Sequence, residues 1–178
     1  SFAHSNLGSI HADNKNFIFA EKEFKKAIQL DPTIPLGYLN LGTYYASRGW
    51  HEKAKITLEM ARDRYDKYRW GYPMPPTLDF SLAHVNFALG FFSEAKKYLK
   101  KYLSKNPESP SGLLMLGKIY QELSKTDLAL KIYQKIKGDP KIKAKAFNNM
   151  GLIYLSLNEP EKALVEFKNS LSIYPGIP

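Results

Sequence analysis

The sequence contains no cysteine and no long apolar run, and these absences exclude several classes of protein. Without cysteine the chain has no disulfide framework, no thiolate metal site and no thiol nucleophile. No apolar run approaches the roughly 18 residues that are needed to span a bilayer, and no targeting segment is recognisable in this chain. The sequence therefore does not decide whether the protein is located in the cytoplasm or in the periplasm.

Sequence motifs of catalytic and cofactor sites are also missing. The chain has no HExxH motif, no glycine-rich phosphate loop and no nucleophile elbow. The pair Gly117-Lys118 lacks the earlier glycine of a phosphate loop. His4 and His11 lie about 10 Å apart along one predicted helix, which is too far for them to share a metal by themselves. The sequence therefore predicts no enzyme, no cofactor and no metal site.

What the chain does have is length, apolar content and positive charge. Its 178 residues are 44% hydrophobic, which is enough for one domain with its own core. Its formal net charge of +9 permits an acidic partner, nucleic acid or a membrane surface, but establishes none of them.

A pattern with a period of 34 residues runs through the sequence, and its last copy is the clearest. There Gly151 lies between two large apolar residues, and Ala163, Phe167 and Pro175 follow at fixed spacing. The same phase divides the chain into units 1–34, 35–68, 76–109, 110–143 and 144–177, with an insertion at 69–75. In the insertion, Trp70 and Tyr72 either cap the long helix before it, pack on the third unit or form an exposed contact point.

The spacing within each unit predicts two amphipathic helices. Repeat positions 4, 7, 8 and 11 share one face of the first helix, and positions 20, 24 and 27 share one face of the second. A small residue at position 8 lets the two helices approach closely. Gly49 and Gly90, at position 15, suit a turn with positive φ. The second helix of the second unit is expected to run on towards the insertion.

These residues resemble the tetratricopeptide repeat (TPR) family, which has this period and this small and large pattern. The resemblance implies an all-α fold, a right-handed superhelical solenoid of five antiparallel helix pairs that forms a single domain over residues 1–178. It also implies an interaction scaffold whose first helices line a concave groove. The third unit departs from the pattern at Asp79, Asn86 and Tyr102.

In this family, positions 2, 5, 6, 9, 12 and 13 of the first helix tend to face the groove. Charged residues are few there, and they are Asp13, Lys118, Glu122 and Lys145. A neutral, partly apolar groove favours an extended peptide or a partner helix, although its apolar residues could instead pack between neighbouring helices. The candidate partner-binding residues are Asn6, Leu39, Asn40, Thr43, Phe80, Ser81, His84, Phe87, Leu114, Met115, Lys118 and Asn149.

Asparagine recurs at position 6 as Asn6, Asn40 and Asn149. This recurrence resembles the asparagine ladder in the TPR region of O-linked N-acetylglucosamine transferase, where side-chain amides hold a peptide backbone. Ser81 and Met115 interrupt the ladder, and the alternative is that each amide makes only local hydrogen bonds. The two-carboxylate clamp of chaperone adaptors needs lysine, arginine and asparagine at positions where only Asn40 matches, so no chaperone tail is expected as a partner.

Three functions remain open at this level. The first is a non-catalytic scaffold for a protein or peptide partner. The second is the substrate-presenting TPR region of a larger glycosyltransferase-like enzyme. The third and weakest is nucleic-acid binding by the lysines of the second helices, which otherwise form a solvated face. Those lysines are Lys96, Lys97, Lys100, Lys101, Lys131 and Lys135.

The sequence ends directly after a second helix, so Leu171 and Ile173 are expected to be partly uncovered. Solenoids normally close with a polar capping helix. We therefore expect either that the native protein continues beyond both ends, or that two copies pack end to end as a homo-oligomer.

Overall fold

The computed structural model describes residues 1–68 and 73–176, and these residues form helices joined by short turns. The described residues contain ten helices and no strand, which confirms the predicted all-α solenoid class and its five helix pairs. Trp70 and Tyr72, for which packing or contact was predicted, lie outside the described residues. The pairs are α1 (Phe2–Asp13) with α2 (Phe17–Leu30), α3 (Pro35–Ser47) with α4 (His51–Tyr68), α5 (Pro76–Ala88) with α6 (Phe92–Lys105), α7 (Pro110–Glu122) with α8 (Thr126–Gln134), and α9 (Pro140–Ser156) with α10 (Pro160–Ile173).

The chain divides into two compact units, Ser1–Tyr98 and Leu99–Pro178. In the first unit α3 packs against α1, α2, α4 and α5, and in the second α9 packs against α7, α8 and α10. The first helices of successive pairs therefore contact one another within each unit. The single domain over residues 1–178 stays a prediction. Among the described helices, none is both long enough and apolar enough to cross a bilayer.

Helix starts and ends follow the residue chemistry of the turns. Proline opens α3, α5, α7, α9 and α10, where its missing N–H costs no hydrogen bond. The Ser109 Oγ atom accepts a hydrogen bond from the Gly112 N–H at 3.2 Å, and Asp139 Oδ1 accepts from the Ile142 N–H at 3.0 Å. Asp139 is the N-cap of α9, which begins at Pro140. The helix therefore starts four residues before the predicted start of the last repeat.

The turn inside every helix pair contains one residue in the left-handed region. Gly49 and Gly90 have φ angles of 76° and 79°, which confirms the positive φ predicted for them. The equivalent residues Lys15, Ser124 and Asn158 have φ angles of 59°, 56° and 60°. The turn geometry is therefore constant in all five pairs, and the residue that adopts it is not.

The two helices of a pair touch where position 8 meets position 24. A Cβ atom on Gly8 or Gly151 would lie 2.6 Å from the ring of Phe24 or Phe167, which is closer than real carbon atoms approach. In the third repeat the equivalent residue is Ala83, which is fully buried. The predicted close approach of the two helices is therefore present in the first and last pairs.

Two residues at which the third repeat departs from the pattern, Asp79 and Asn86, make polar contacts in the interior. Asp79 is buried, and its Oδ1 atom lies 3.7 Å from Nη1 of Arg62 on α4. Asn86 is fully buried and donates from Nδ2 to the Leu82 carbonyl oxygen at 2.8 Å. Burying a charged or polar group without a partner destabilises a core, so these contacts reduce the cost of burying the Asp79 carboxylate and the Nδ2 group of Asn86, while Oδ1 of Asn86 accepts no hydrogen bond from the described residues.

Gly151→Ala should lower the free energy of unfolding by about 1–3 kcal/mol, because the added methyl group overpacks the contact with Phe167. Alanine's better helix propensity offsets only about 1 kcal/mol of this loss. In a Phe167→Leu background the ring is gone, and the same glycine substitution should cost clearly less. Urea unfolding followed by circular dichroism measures all four variants of this cycle. Equal costs in both backgrounds would contradict the steric explanation.

Two buried tyrosines provide a matched test of pH dependence. Tyr45 Oη donates to Glu21 Oε1 at 2.9 Å, and Tyr44 Oη donates to the Phe17 carbonyl oxygen at 2.9 Å. Hydrogen bonds from Lys25 and then from Tyr45 lower the pKa of Glu21 from its usual 4.5. Glu21 therefore adds stability above its unfolded-state pKa, and this stability is lost as the pH falls through the lower folded-state pKa.

Tyr45→Phe should accordingly cost about 1 kcal/mol at pH 7 and less at a pH below the lowered folded-state pKa of Glu21, where its carboxyl group is protonated. Tyr44→Phe removes a hydrogen bond to an uncharged acceptor, so its cost should be the same at both pH values. Denaturant unfolding of the two variants and the wild type at each pH measures the difference. A Tyr45→Phe cost that does not change with pH would contradict this assignment.

Candidate functional site

A pocket of about 210 Å³ opens between α1 and α3 in the first unit, and we call it the α1–α3 pocket. Residues at groove positions 9, 12 and 13 of α1 and 6, 9 and 13 of α3 supply most of its wall. Two core residues, one on α2 and one on α3, complete the lining. The lining residues are Ser9, Ala12, Asp13, Phe24, Asn40, Thr43, Tyr44 and Ser47.

The three serine and threonine hydroxyl groups of the pocket donate their protons to their own helices, and the Tyr44 hydroxyl donates to the Phe17 carbonyl oxygen. Ser9 and Thr43 each donate to the carbonyl oxygen four residues earlier, at 3.2 and 3.0 Å. Ser47 donates to the carbonyl oxygen three residues earlier, at 2.7 Å. A hydroxyl oxygen that has donated its proton still has lone pairs to accept with. These side chains therefore present hydrogen-bond acceptors to the pocket.

Asn40 and Asp13 supply the remaining polar chemistry of the pocket. Asn40 is half-buried, and its side-chain amide has no hydrogen-bond partner among the described residues. Asp13 is exposed, and its carboxylate is the only charge among the lining residues that the structure describes. The pocket is thus rich in acceptors, and the Asn40 amide supplies its side-chain donor. Such a site suits a ligand that brings N–H groups.

Of the twelve candidate residues from the sequence, Asn40 and Thr43 line the α1–α3 pocket. Leu39 is only 7% exposed and packs in the core cluster of the first unit, so it offers little surface to a partner. Asn6 lies exposed on α1, outside the pocket lining. The sequence did not point to Phe24 and Tyr44 as lining residues, because position 24 was assigned to packing and position 10 is not among the groove positions.

The candidates on α5 form a separate group in the first unit. Phe80, Ser81 and Phe87 are half-buried, and the Phe87 ring centroid lies 5.6 Å from that of Phe92. His84 is exposed, and its ring centroid lies 6.4 Å from that of His51 at the start of α4. His84 therefore lies beside the start of α4 and Phe87 beside the start of α6, and none of these side chains lines the α1–α3 pocket.

The candidates of the second unit lie on α7 and α9. Leu114 and Met115 are half-buried, and Lys118 is exposed. Asn149 donates from Nδ2 to Tyr133 Oη at 3.3 Å, and that hydroxyl donates to Gln121 Oε1. Burial raises the pKa of Tyr133 above its usual 10. Asn149 therefore has a hydrogen-bond partner on α8, and its contact with a ligand stays a prediction.

Metal-ligating side chains are scattered in the described residues, where no group of three or more could hold a metal ion. His4 Nδ1 lies 2.5 Å from Glu23 Oε2, and this hydrogen bond lowers the pKa of that carboxyl group. The ring of His11 lies 5.6 Å from that of Phe19. Both histidines are thus engaged in packing or pairing between α1 and α2.

Apolar side chains are exposed on the first and last helices. Phe2 and Ile10 on α1 are 57% and 55% exposed, and Leu164 and Leu171 on α10 are each 54% exposed. This agrees with the expectation that Leu171 is partly uncovered. End-to-end association of two copies stays a prediction.

Four stretches of the chain match family models described as Tetratricopeptide repeat, namely residues 1–34, 23–56, 111–140 and 144–177. Together these stretches cover more than half of the sequence. The first and last matches have the same limits as two of the units predicted from the 34-residue period.

Two relatives are similar to parts of the chain. A TPR repeat-containing protein of Methanocaldococcus jannaschii, MJ0263, is 39% identical over 64 residues, which are 36% of this chain and 20% of that protein. Protein O-mannosyl-transferase F38B6.6 of Caenorhabditis elegans is 42% identical over 55 residues, or 31% of this chain and 8% of that protein. The chain therefore aligns with a fifth or less of each relative's length.

Among solved structures, the crystal structure of YrrB matches with a TM-score of 0.77 and 22% identity, covering 97% of this chain and 86% of that chain. YrrB is described as a TPR protein with an unusual peptide-binding site. At this identity the similarity shows the fold and carries no information about the ligand.

Proposed function

We propose that this chain, which belongs to the tetratricopeptide repeat family, is a protein-interaction scaffold that holds an extended peptide segment in the α1–α3 pocket. The family supports the general role of a scaffold for protein partners. The observation that carries the specific proposal is the unpartnered amide of Asn40, which faces a pocket with three hydroxyl acceptors.

The hydrogen-bonding capacity of the pocket fits a peptide backbone. An extended chain offers one N–H and one C=O per residue. The Asn40 amide has donors and an acceptor and can pair with both groups of one peptide unit. Ser9 and Thr43 can accept further N–H groups, because their protons are already used within the helices. This arrangement would bind a backbone with little regard to its side chains.

The size of the pocket favours a short stretch of chain over a free small molecule. Its volume of about 210 Å³ is below the range of roughly 300–1,000 Å³ that is usual for small-molecule sites. YrrB supplies a precedent for a peptide-binding site on this fold, although only the fold is shared.

Side-chain preference in the proposed complex would come from Asp13. It is the charged residue of the pocket lining, and it lies at position 13, near the end of α1. A lysine or arginine of the partner would pair with this carboxylate, and an acidic side chain would be repelled. The site is therefore proposed to select neutral or basic segments, even though the chain as a whole has a net charge of +9.

A second candidate is a substrate-presenting region within a larger glycosyltransferase-like enzyme. The observation that favours it is the 42% identity to a protein O-mannosyl-transferase over 55 residues. In this case the same pocket would hold the polypeptide substrate, and another part of the protein would carry out the transfer. A complete reading frame that encodes no transferase domain would exclude this candidate.

Asn40→Ala should weaken binding of peptides selected on the wild-type protein by about five- to tenfold, since one amide pairing of about 1 kcal/mol is lost. The peptides would come from a random 12-residue library, and fluorescence anisotropy would give each Kd. The matched control is Asn169→Ala, which removes an amide from α10 and should leave the Kd unchanged. Asn6→Ala tests whether the contact extends along α1. Unaltered affinity for the Asn40 variant would refute the pocket assignment.

Asp13→Asn should remove a preference for lysine over glutamate at one position of the selected peptides, and should leave binding of neutral peptides within twofold. The physical reason is the loss of one exposed carboxylate, whose attraction is screened by salt. Kd values for lysine, alanine and glutamate versions of one peptide, each at low and high salt, measure the effect. A wild-type protein that prefers the glutamate version would contradict the role given to Asp13.

A further inference from the structure

The junction between α8 and α9 departs from the geometry of the other repeats. α8 has nine residues, whereas α2, α6 and α10 have 14 each and α4 has 18. The last turn of α8 is missing, and α9 starts early and reaches 17 residues. The chain between them includes Gly138, whose φ angle of 85° is in the left-handed region.

Repeat position 28 shows what is lost at this junction. In the first repeat this residue is Ile28, and a Cβ atom on Gly37 would lie 3.0 Å from it. In the third repeat it is Leu103, and a Cβ atom on Gly112 would lie 2.8 Å from it. In the fourth repeat, position 28 is Lys137, which is exposed. The apolar side chain that fills the junction after the first and third repeats is therefore absent from this position.

A recess of about 580 Å³ lies at this place, and we call it the junction recess. Its volume is in the usual range of ligand sites. One wall is apolar and the edge carries charged side chains. A Cβ atom on Gly138 would lie 4.0 Å from Pro110, at ordinary van der Waals distance, so the two residues border the same space. The lining residues are Pro107, Glu108, Pro110, Leu113, Ile132, Lys135, Lys137 and Gly138.

The edge of the junction recess is strongly positive. Residues 131–145 contain six lysines and a single acidic residue, Asp139. The Asp139 carboxylate already accepts a hydrogen bond from the Ile142 N–H in its role as a helix cap. Within the lining, Glu108 is the one acidic side chain, against Lys135 and Lys137. An apolar wall with a cationic edge is complementary to an apolar group flanked by carboxylates.

We propose that the junction recess binds an acidic segment of a partner protein. One apolar side chain of the segment inserts between Leu113 and Ile132, and carboxylates on either side of it pair with Lys135 and Lys137. The two lysines at the edge match a peptide segment with carboxylates on both sides of its inserted apolar side chain. A fatty acid has only a single carboxylate. The site is independent of the α1–α3 pocket and has the opposite charge preference.

The test uses a fluorescent peptide with one leucine between two pairs of glutamates, and the full 178-residue chain at low salt. Replacing the leucine by serine, or the glutamates by glutamines, should weaken binding at least fivefold. Lys135→Gln with Lys137→Gln should weaken it at least tenfold. The matched control is Lys100→Gln with Lys101→Gln, which removes the same charge from exposed residues of α6 and should change the Kd less than twofold.

Three results would overturn the proposal. If the Lys135/Lys137 and Lys100/Lys101 double variants lose the same amount of affinity for the peptide, only the overall charge of the protein attracts it. Equal binding of the leucine and serine peptides would mean that no apolar side chain enters the recess. Displacement of the peptide by dodecanoate at concentrations below the peptide's own Kd would assign the recess to a fatty acid instead. Circular dichroism of each variant confirms that the substitutions leave the fold intact.

Discussion

The close contact between position 8 of the first helix and position 24 of the second is the constraint on which the rest of the structure depends. Gly8 and Gly151 leave no room for a Cβ atom beside Phe24 and Phe167. This contact commits one face of each first helix to its partner, so positions 9 and 13 of α1 and α3 are left to carry polar groups. The ring of Phe24 both packs on Gly8 and lines the α1–α3 pocket. The pocket therefore depends on the same contact that packs the two helices of the first pair together.

The sequence predicts the features that depend on local pattern, and misses those that depend on tertiary context. The period, the five helix pairs and the positive φ at Gly49 and Gly90 follow from spacing and residue type alone. Lys15 adopts the same left-handed conformation, but its side chain gives no local signal, because the packing of the pair imposes the turn. Likewise, Leu39 sits at a groove position of the family pattern but is buried by the packing of neighbouring helices.

The distribution of charge separates the two surfaces for which binding is proposed. The net charge of +9 by itself favours acidic partners. Yet the α1–α3 pocket carries only the carboxylate of Asp13, while Lys135 and Lys137 border the junction recess. Exposed charges are screened beyond about 10 Å at ordinary salt concentrations, so the nearest side chains decide which segment binds. Net charge is consequently a poor guide to the partners of a repeat protein.

Repeat position 28 shows where repeats that share one packing rule become chemically different. It is Ile28 in the first repeat, where it fills an apolar junction, and Arg62 in the second, where it lies 3.7 Å from buried Asp79. In the fourth repeat it is Lys137, which leaves the junction and its recess open to solvent. The contact within each helix pair tolerates little change, because it is close-packed. The junction between pairs can instead be filled by an apolar side chain, an ion pair or a ligand, and so it is the place where this fold can acquire new binding sites.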